Sequence, residues 1–315
     1  MAASRRTFLK QSALAMVAGA VPFGAPLAAS RRAARFALSL SPGMIGVSVS
    51  QRQAIDLAVE FGFSAVTCAP GELVDAPEAV ASTKERMAHT GLQWDAAGLP
   101  VEFRQDRATF ESGLKALKAQ AAVMEQLGAT RMGTWIMPTH DSRTYRENFA
   151  LHTERLRQCA EVAGEHGVRL GLEYVGPKTL MSRDKFAFIR TLAEARELIT
   201  AIDRPNVGLV LDSFHWFCAS DTVEDLLALS PDDIVTVDLN DARDDLSRDE
   251  QIDNRRHLPL ETGVIDMKTF LTALQDLGYR GPVRAEPFSQ ALNELPDRQA
   301  AQKTAEAMQR ALSLV

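Results

Sequence analysis

Cysteine is scarce. The 315-residue chain holds three, Cys68, Cys159 and Cys218, far apart and odd in number, so neither a disulfide framework nor a paired-cysteine zinc site is encoded. Positive charge is in deficit: 35 Lys and Arg against 41 Asp and Glu give a net charge of −6. That balance argues against nucleic acid or an anionic membrane surface as the main partner. No G-x-G-x-x-G or Walker loop follows the first apolar segment, so the usual nucleotide signature of open α/β sheets is missing. No low-complexity linker or composition break divides the chain after residue 30.

What is present begins with a leader. "SRRTFLK" (Ser4 to Lys10) precedes the mild apolar run "SALAMVAGAVPFGAPLAA", the layout of an export signal. The run is rich in Ala and Gly and broken by Pro22 and Pro26, a poor spanning helix. Arg5 and Arg6, with Phe8, Leu9 and Lys10 behind them, match the twin-arginine pattern, an address read by a receptor. The expectation is a twin-arginine signal peptide over 1–29, cleaved near Ala29. It implies the twin-arginine translocase as a transient partner, no stable membrane anchor, and a periplasmic or otherwise exported product. Residues 30–315 form the one remaining domain. Homo-oligomer formation is left open.

Within that domain short apolar segments alternate with amphipathic helical stretches. Strands are predicted at 35–40, 64–68, 92–97, 131–137, 168–174, 207–212, 233–239 and 282–286. Helices are predicted at 51–61, 76–90, 107–127, 143–166, 191–202, 221–229, 266–277 and 297–313. In 107–127, Leu114, Leu117, Ala121, Met124 and Leu127 recur at helical spacing and Gly128 follows as a stop. Eight strand–helix units over roughly 280 residues predict a (β/α)8 TIM barrel, for which about 250 residues is typical. In such a barrel the working residues lie at the C-terminal ends of the strands.

Those ends carry acids. The fifth strand ends in Glu173, the sixth in Asp212, the seventh carries Asp238 and the eighth ends in Glu286. Four carboxylates converging on one opening repel strongly unless a cation lies among them. All-oxygen ligation favours Mg²⁺ or Mn²⁺. "GLVLDSFHW" places His215 three residues after Asp212, and substrate contact beside the ion is the expected role. Lys178, Arg255, Arg256 and His257 are further candidates to hold substrate oxygens, and Trp216 to stack on a flat face of the substrate. Trp135 reads as core, and His152 and His166 as solvated helix positions.

The segments "GLEYVGPKTL", "NVGLVLDSFHW", "VDLNDA", "DEQIDNRRHLPLETGVID" and "GYRGPVRAEPF" resemble the sugar phosphate isomerase/epimerase superfamily, the xylose isomerase-like TIM barrels. The resemblance runs from residue 36 to about 312. It implies a divalent metal held by Glu173, Asp212, position 238 and Glu286, with His215 on substrate hydroxyls. Asp238 stands where that family usually has His. Ketose epimerases of the superfamily carry a further Glu after the fifth strand, where this chain has "VGPKTL" with Lys178. The implied activity is isomerisation or epimerisation of a sugar, keto-sugar or inosose. Glu173 and Glu286 would exchange a proton beside a carbonyl through a metal-stabilised enediolate. Two alternatives remain at this level: a lyase or dehydratase acting on oxidised (3-keto) glycosides, and a non-catalytic sugar-binding barrel. A DNA-repair endonuclease on the same fold would need clustered histidines that are absent here.

Overall fold

The computed structural model describes residues 36–315; the leader expected over 1–29 lies outside the described residues. The strands are β1 (Ala37–Leu40), β2 (Ala65–Thr67), β3 (Gln93–Asp95), β4 (Ala97–Gly98), β5 (Arg131–Ile136), β6 (Thr139–His140), β7 (Arg169–Tyr174), β8 (Phe186–Ala187), β9 (Val207–Asp212), β10 (Ile234–Leu239) and β11 (Pro282–Ala285). Nine of these form one sheet in the order β3-β2-β1-β11-β10-β9-β7-β5-β4, and every ladder in it is parallel. The two ends of that order, β3 and β4, are separated in sequence by Ala96 alone. One stretch of chain therefore bonds to β2 with its first half and to β5 with its second. That closes the sheet into the expected eight-position barrel. Strands β6 and β8 form a separate antiparallel ribbon.

The helices are α1 (Gln51–Glu60), α2 (Pro77–Thr90), α3 (Arg107–Leu127), α4 (Tyr145–Gly164), α5 (Lys178–Met181), α6 (Leu192–Ile202), α7 (Ser213–Ala219), α8 (Val223–Leu227), α9 (Met267–Leu277), α10 (Gln290–Asn293) and α11 (Asp297–Leu312). Their starts are encoded locally. Ser50 with Gln53, Thr144 with Glu147 and Thr191 with Glu194 form capping boxes at α1, α4 and α6. Gly128 stops α3 in the left-handed conformation at φ 74°. The helix expected at 221–229 is the short α8, and a further helix not expected from the sequence, α7, precedes it because Asp212 caps it immediately after β9. Among the described residues no helix is long and apolar enough to cross a membrane.

Strands β9 and β10 are buried at every residue, as parallel strands covered on both faces should be. Inside the barrel Gly133, Gly171 and Gly208 stand side by side on β5, β7 and β9. A Cβ on Gly171 would lie 2.8 Å from Val210 Cγ2 and 3.0 Å from Val235 Cβ. The missing side chain at this position is the space that those two valines occupy.

Candidate active site at the C-terminal mouth of the barrel

Register brings the acids together. Asp238 on β10 is paired with Asp212 on β9 and with Arg284 on β11, and in-register neighbours on a sheet point to the same face. Glu286 follows two residues after Arg284, and Glu173, one residue before the end of β7, lies beside Trp135 of β5. Glu173, Asp212, Asp238 and Glu286 are all buried, and each offers an oxygen within 4.8 Å of the others.

Each acid is held differently. Asp212 Oδ1 accepts the Phe214 N–H at 2.6 Å as the cap of α7. Its Oδ2 accepts from Asn240 Nδ2 at 3.0 Å and from Arg256 Nη1 at 2.8 Å. Glu286 Oε2 accepts from the same Arg256 nitrogen at 3.0 Å, and the Glu286 N–H donates to Asn240 Oδ1 at 2.9 Å. Glu173 Oε1 is buried with no hydrogen-bond partner among the described residues. Asp238 is gripped on both oxygens by Arg284, at 2.6 and 3.1 Å.

That last pair changes the meaning of Asp238. A lone carboxylate replacing His would add charge to the site. Here its charge is offset by Arg284, which is itself buried. Asp238 remains within reach of the shared centre but is held by its neighbour on β11. Arg284 was not singled out in the sequence, because an Arg within a strand segment gives no sign of which way it points.

Arg256 reaches the centre on the long connection after β10. Asp241 fastens one part of that connection: its carboxylate accepts the N–H groups of Thr262, Gly263 and Ile265 at 2.7–3.1 Å. Gln251 ties another through Arg243 and Leu246. The Arg256 guanidinium then lies over the rings of Phe214 and Phe288, at 4.7 and 5.0 Å. It also bonds Asp253 at 2.8 Å. "VDLNDA" and "DEQIDNRRHLPLETGVID" are thus the means by which a buried cation is delivered to the carboxylates.

The electrostatics follow from these contacts. Burial, then the facing Glu286, hold the Glu173 carboxyl well above its ordinary range. Burial and the nearby Asp238 push Glu286 up to about 8. Burial lowers His215 to about 4, so its imidazole is neutral. Gly176 N–H donates to His215 Nδ1 at 3.2 Å. Arg256 Nη2 lies 3.2 Å from Nε2, so both ring nitrogens face donors, and Nε2 lies 3.8 Å from Glu173 Oε1. Glu173, His215, Asp253, Arg256, Glu286 and Phe288 line a cavity of about 260 Å³.

Other expected contacts lie elsewhere. Trp216 packs on Phe270 at 5.4 Å and donates to Thr222 O at 3.2 Å, because α7 turns that face toward the surrounding helices. Lys178 pairs with Asp249 at 2.7 Å. Arg255 is exposed. His257 is tied by its backbone to Asp241 and by its ring to Glu261, 3.5 Å away. None of these four lines the cavity. Trp135, read as core, is 42% exposed at the cavity wall. Its register beside Glu173 explains this, and that register is invisible until β5 and β7 are paired. His152, read as solvated, is 2% exposed. The spacing Asn148, His152, Leu156, Cys159, Ala163 is a helical stripe, all of it buried, and that stripe was the available signal.

The donor set suits a hard divalent ion. Arg256 and Arg284 offset two of the four carboxylate charges, and two remain. The unpartnered Glu173 oxygen points to a missing positive partner.

The family model for xylose isomerase-like TIM barrels matches residues 55–311. A solved xylose isomerase domain protein from Alicyclobacillus acidocaldarius is 30% identical, covers 89% of this chain and 99% of its own, and superposes with a TM-score of 0.78. An inosose isomerase from Bacillus licheniformis is 30% identical over 142 residues, 44% of this chain and 47% of that protein. A 3-dehydroshikimate dehydratase from Pseudomonas aeruginosa is 30% identical over 151 residues, 47% of this chain and 22% of that protein. The chain spans about half the length or less of the curated relatives it matches. A closed barrel with acids converging at its C-terminal mouth, matched over most of its length, places this chain in the xylose isomerase-like TIM barrel family.

Proposed function

We propose that the chain is an enzyme that moves a proton at the carbon beside a carbonyl of a small polyhydroxylated substrate, as a sugar, keto-sugar or inosose isomerase or epimerase. The observation that carries this reading is the pair Glu173 and Glu286. Both are buried at one cavity, both have raised pKa values, and Arg256 bridges Glu286 to Asp212. Carboxylates with pKa values raised toward neutrality suit general acid–base work at physiological pH. Glu173 Oε1, free of partners, removes the proton. Glu286, steadied by Arg256, returns it. His215 and Asp253 orient substrate oxygens, and Phe288 covers the cavity and excludes water.

Glu173, Asp212 and Glu286, with Asp238 behind them, would hold a divalent ion, Mn²⁺ or Mg²⁺ by their oxygen chemistry. When bound, such an ion polarises the substrate carbonyl. Removal of divalent ions with a chelator is expected to abolish turnover of a ketose and inosose panel, and Mn²⁺ or Mg²⁺ to restore it. Turnover that survives exhaustive chelation sinks the metal part of the proposal.

A second reading uses the same base to expel a leaving group from the next carbon. The similarity to a 3-dehydroshikimate dehydratase favours it. Export through the twin-arginine route is part of the proposal and rests on Arg5 and Arg6. Replacing both by Lys is expected to leave the protein in the cytoplasmic fraction. Unchanged export would remove that element.

A further inference from the structure

Trp135 stands at a junction. It lines the cavity that holds Glu173 and Glu286, and it also lines a second cavity of about 540 Å³. The Arg104 guanidinium lies 3.8 Å over its ring and donates to its backbone oxygen at 2.8 Å. Arg104 is in turn held by the Glu102 carboxylate at 2.8 Å. Trp135 is therefore a braced aromatic surface with part of its ring uncovered, placed between two hollows. The second hollow has no part in the proton transfer described above.

Its wall contains two buried polar side chains with nothing to bond. Asn148 and His152 are each 2% exposed, both line this cavity, and Asn148 Oδ1 and His152 Nε2 have no hydrogen-bond partner among the described residues. His152 Nδ1 lies 2.8 Å from the Asn148 carbonyl oxygen. A carbonyl only accepts, so Nδ1 carries the proton and Nε2 presents a lone pair. Both orphan atoms are acceptors. Buried acceptors without donors are costly and rare, and a ligand rich in hydroxyl groups supplies what they lack. Seven charged side chains line the cavity, Glu102, Asp106, Asp141 and Asp184 against Arg104, Arg143 and Arg183, with Arg104 held by Glu102 at 2.8 Å and Arg183 by Asp184 at 3.7 Å. That near balance of acids and arginines favours an uncharged occupant.

We infer that this second cavity is a subsite for a hydroxyl-bearing ring joined to the one that reaches Glu173 and Glu286, so that the substrate is a glycoside or disaccharide rather than a free monosaccharide. Trp135 offers its ring between the two subsites, and Asn148 and His152 accept hydroxyls of the outer ring. The inference rests on the carbohydrate reading of the reacting cavity but not on turnover there.

Calorimetric titration of the full chain with glucose, phenyl β-glucoside and cellobiose tests it. Cellobiose is expected to bind at least tenfold more tightly than either of the others, since only it brings hydroxyls to the outer cavity. Asn148→Leu and His152→Phe are expected to weaken cellobiose about tenfold more than glucose. Equal affinity for all three ligands, no binding of cellobiose, or variants that weaken glucose and cellobiose alike would overturn the subsite. The three-ligand comparison on the unaltered protein decides the matter even if both variants fail to fold. A protein that prefers cellobiose but exchanges no substrate proton overturns the proposed chemistry and leaves the subsite standing.

Discussion

Asp238 and Arg284 share one buried bidentate ion pair, and neither has water to fall back on. Burying two charges is offset only when both partners are present. Asp238→Asn strands the Arg284 guanidinium and is expected to cost about 3–5 kcal/mol of unfolding free energy, read by urea denaturation. Asp238→Leu combined with Arg284→Met removes both charges and is expected to recover most of that loss. If the double variant is as unstable as the single one, the pair is not what holds this layer of the barrel. Asp212, Glu173 and Glu286 were legible in the sequence because a carboxylate ending a buried apolar strand has few tolerable explanations. Arg284, Asn240 and Asp253 were not, because their roles exist only once strand register and the loop after β10 are fixed.

At the scale of elements, β9 and α7 act as one unit. The strand delivers Asp212, the same Asp212 caps the helix, and the helix delivers His215 one turn later. The neighbouring segment after β7 approaches closely: a Cβ on Gly176 would lie 2.4 Å from His215 O and 3.0 Å from Ala219 N. Backbone cannot yield as a side-chain tip can. Gly176→Ala is therefore expected to displace α7 and to lose both stability, by about 1–3 kcal/mol, and the donation from Gly176 N–H to His215. Its check is the His215 imidazole resonance alongside the thermal midpoint. An unmoved resonance with full stability would show that α7 is not braced by that contact. The alternation of strands and helices was plain in the sequence. The helix α7 was not, since a helix capped by a strand-end carboxylate leaves no loop to mark its start.

At the scale of the whole molecule, buried histidines make stability depend on pH. Burial holds His152 and His215 near 4, against an ordinary value of 6.5. The unfolded chain therefore takes up protons first as pH falls. The contribution of each neutral imidazole is complete above about 6.5 and is lost progressively toward 4. Glu173 and Glu286 act in the opposite sense, because burial and neighbouring carboxylates raise their folded pKa values, that of Glu286 to about 8, so that protonation as pH falls relieves repulsion. Comparison with a variant isolates one histidine. His152→Phe should gain on the unaltered protein by on the order of 2 kcal/mol between pH 7 and pH 4.5. A constant gap across that range would mean that His152 titrates normally. The barrel class was predictable from eight units in a chain of this length. Its closure through Ala96, with β3 and β4 bonding to opposite neighbours, was not, because the break falls inside one apolar segment.

Proton exchange with solvent tests the roles of Glu173 and Glu286 most directly. The protein, supplied with Mn²⁺ or Mg²⁺ and incubated in D₂O with a panel of ketoses, inososes and oxidised glycosides, is followed by NMR for deuterium at the carbon beside the carbonyl. The two glutamates predict incorporation into at least one member of the panel, with Glu173→Gln and Glu286→Gln each lowering its rate by a factor of about 10³ or more. No incorporation into any member, or incorporation that both glutamine variants retain, would contradict the pair as the proton-transferring groups.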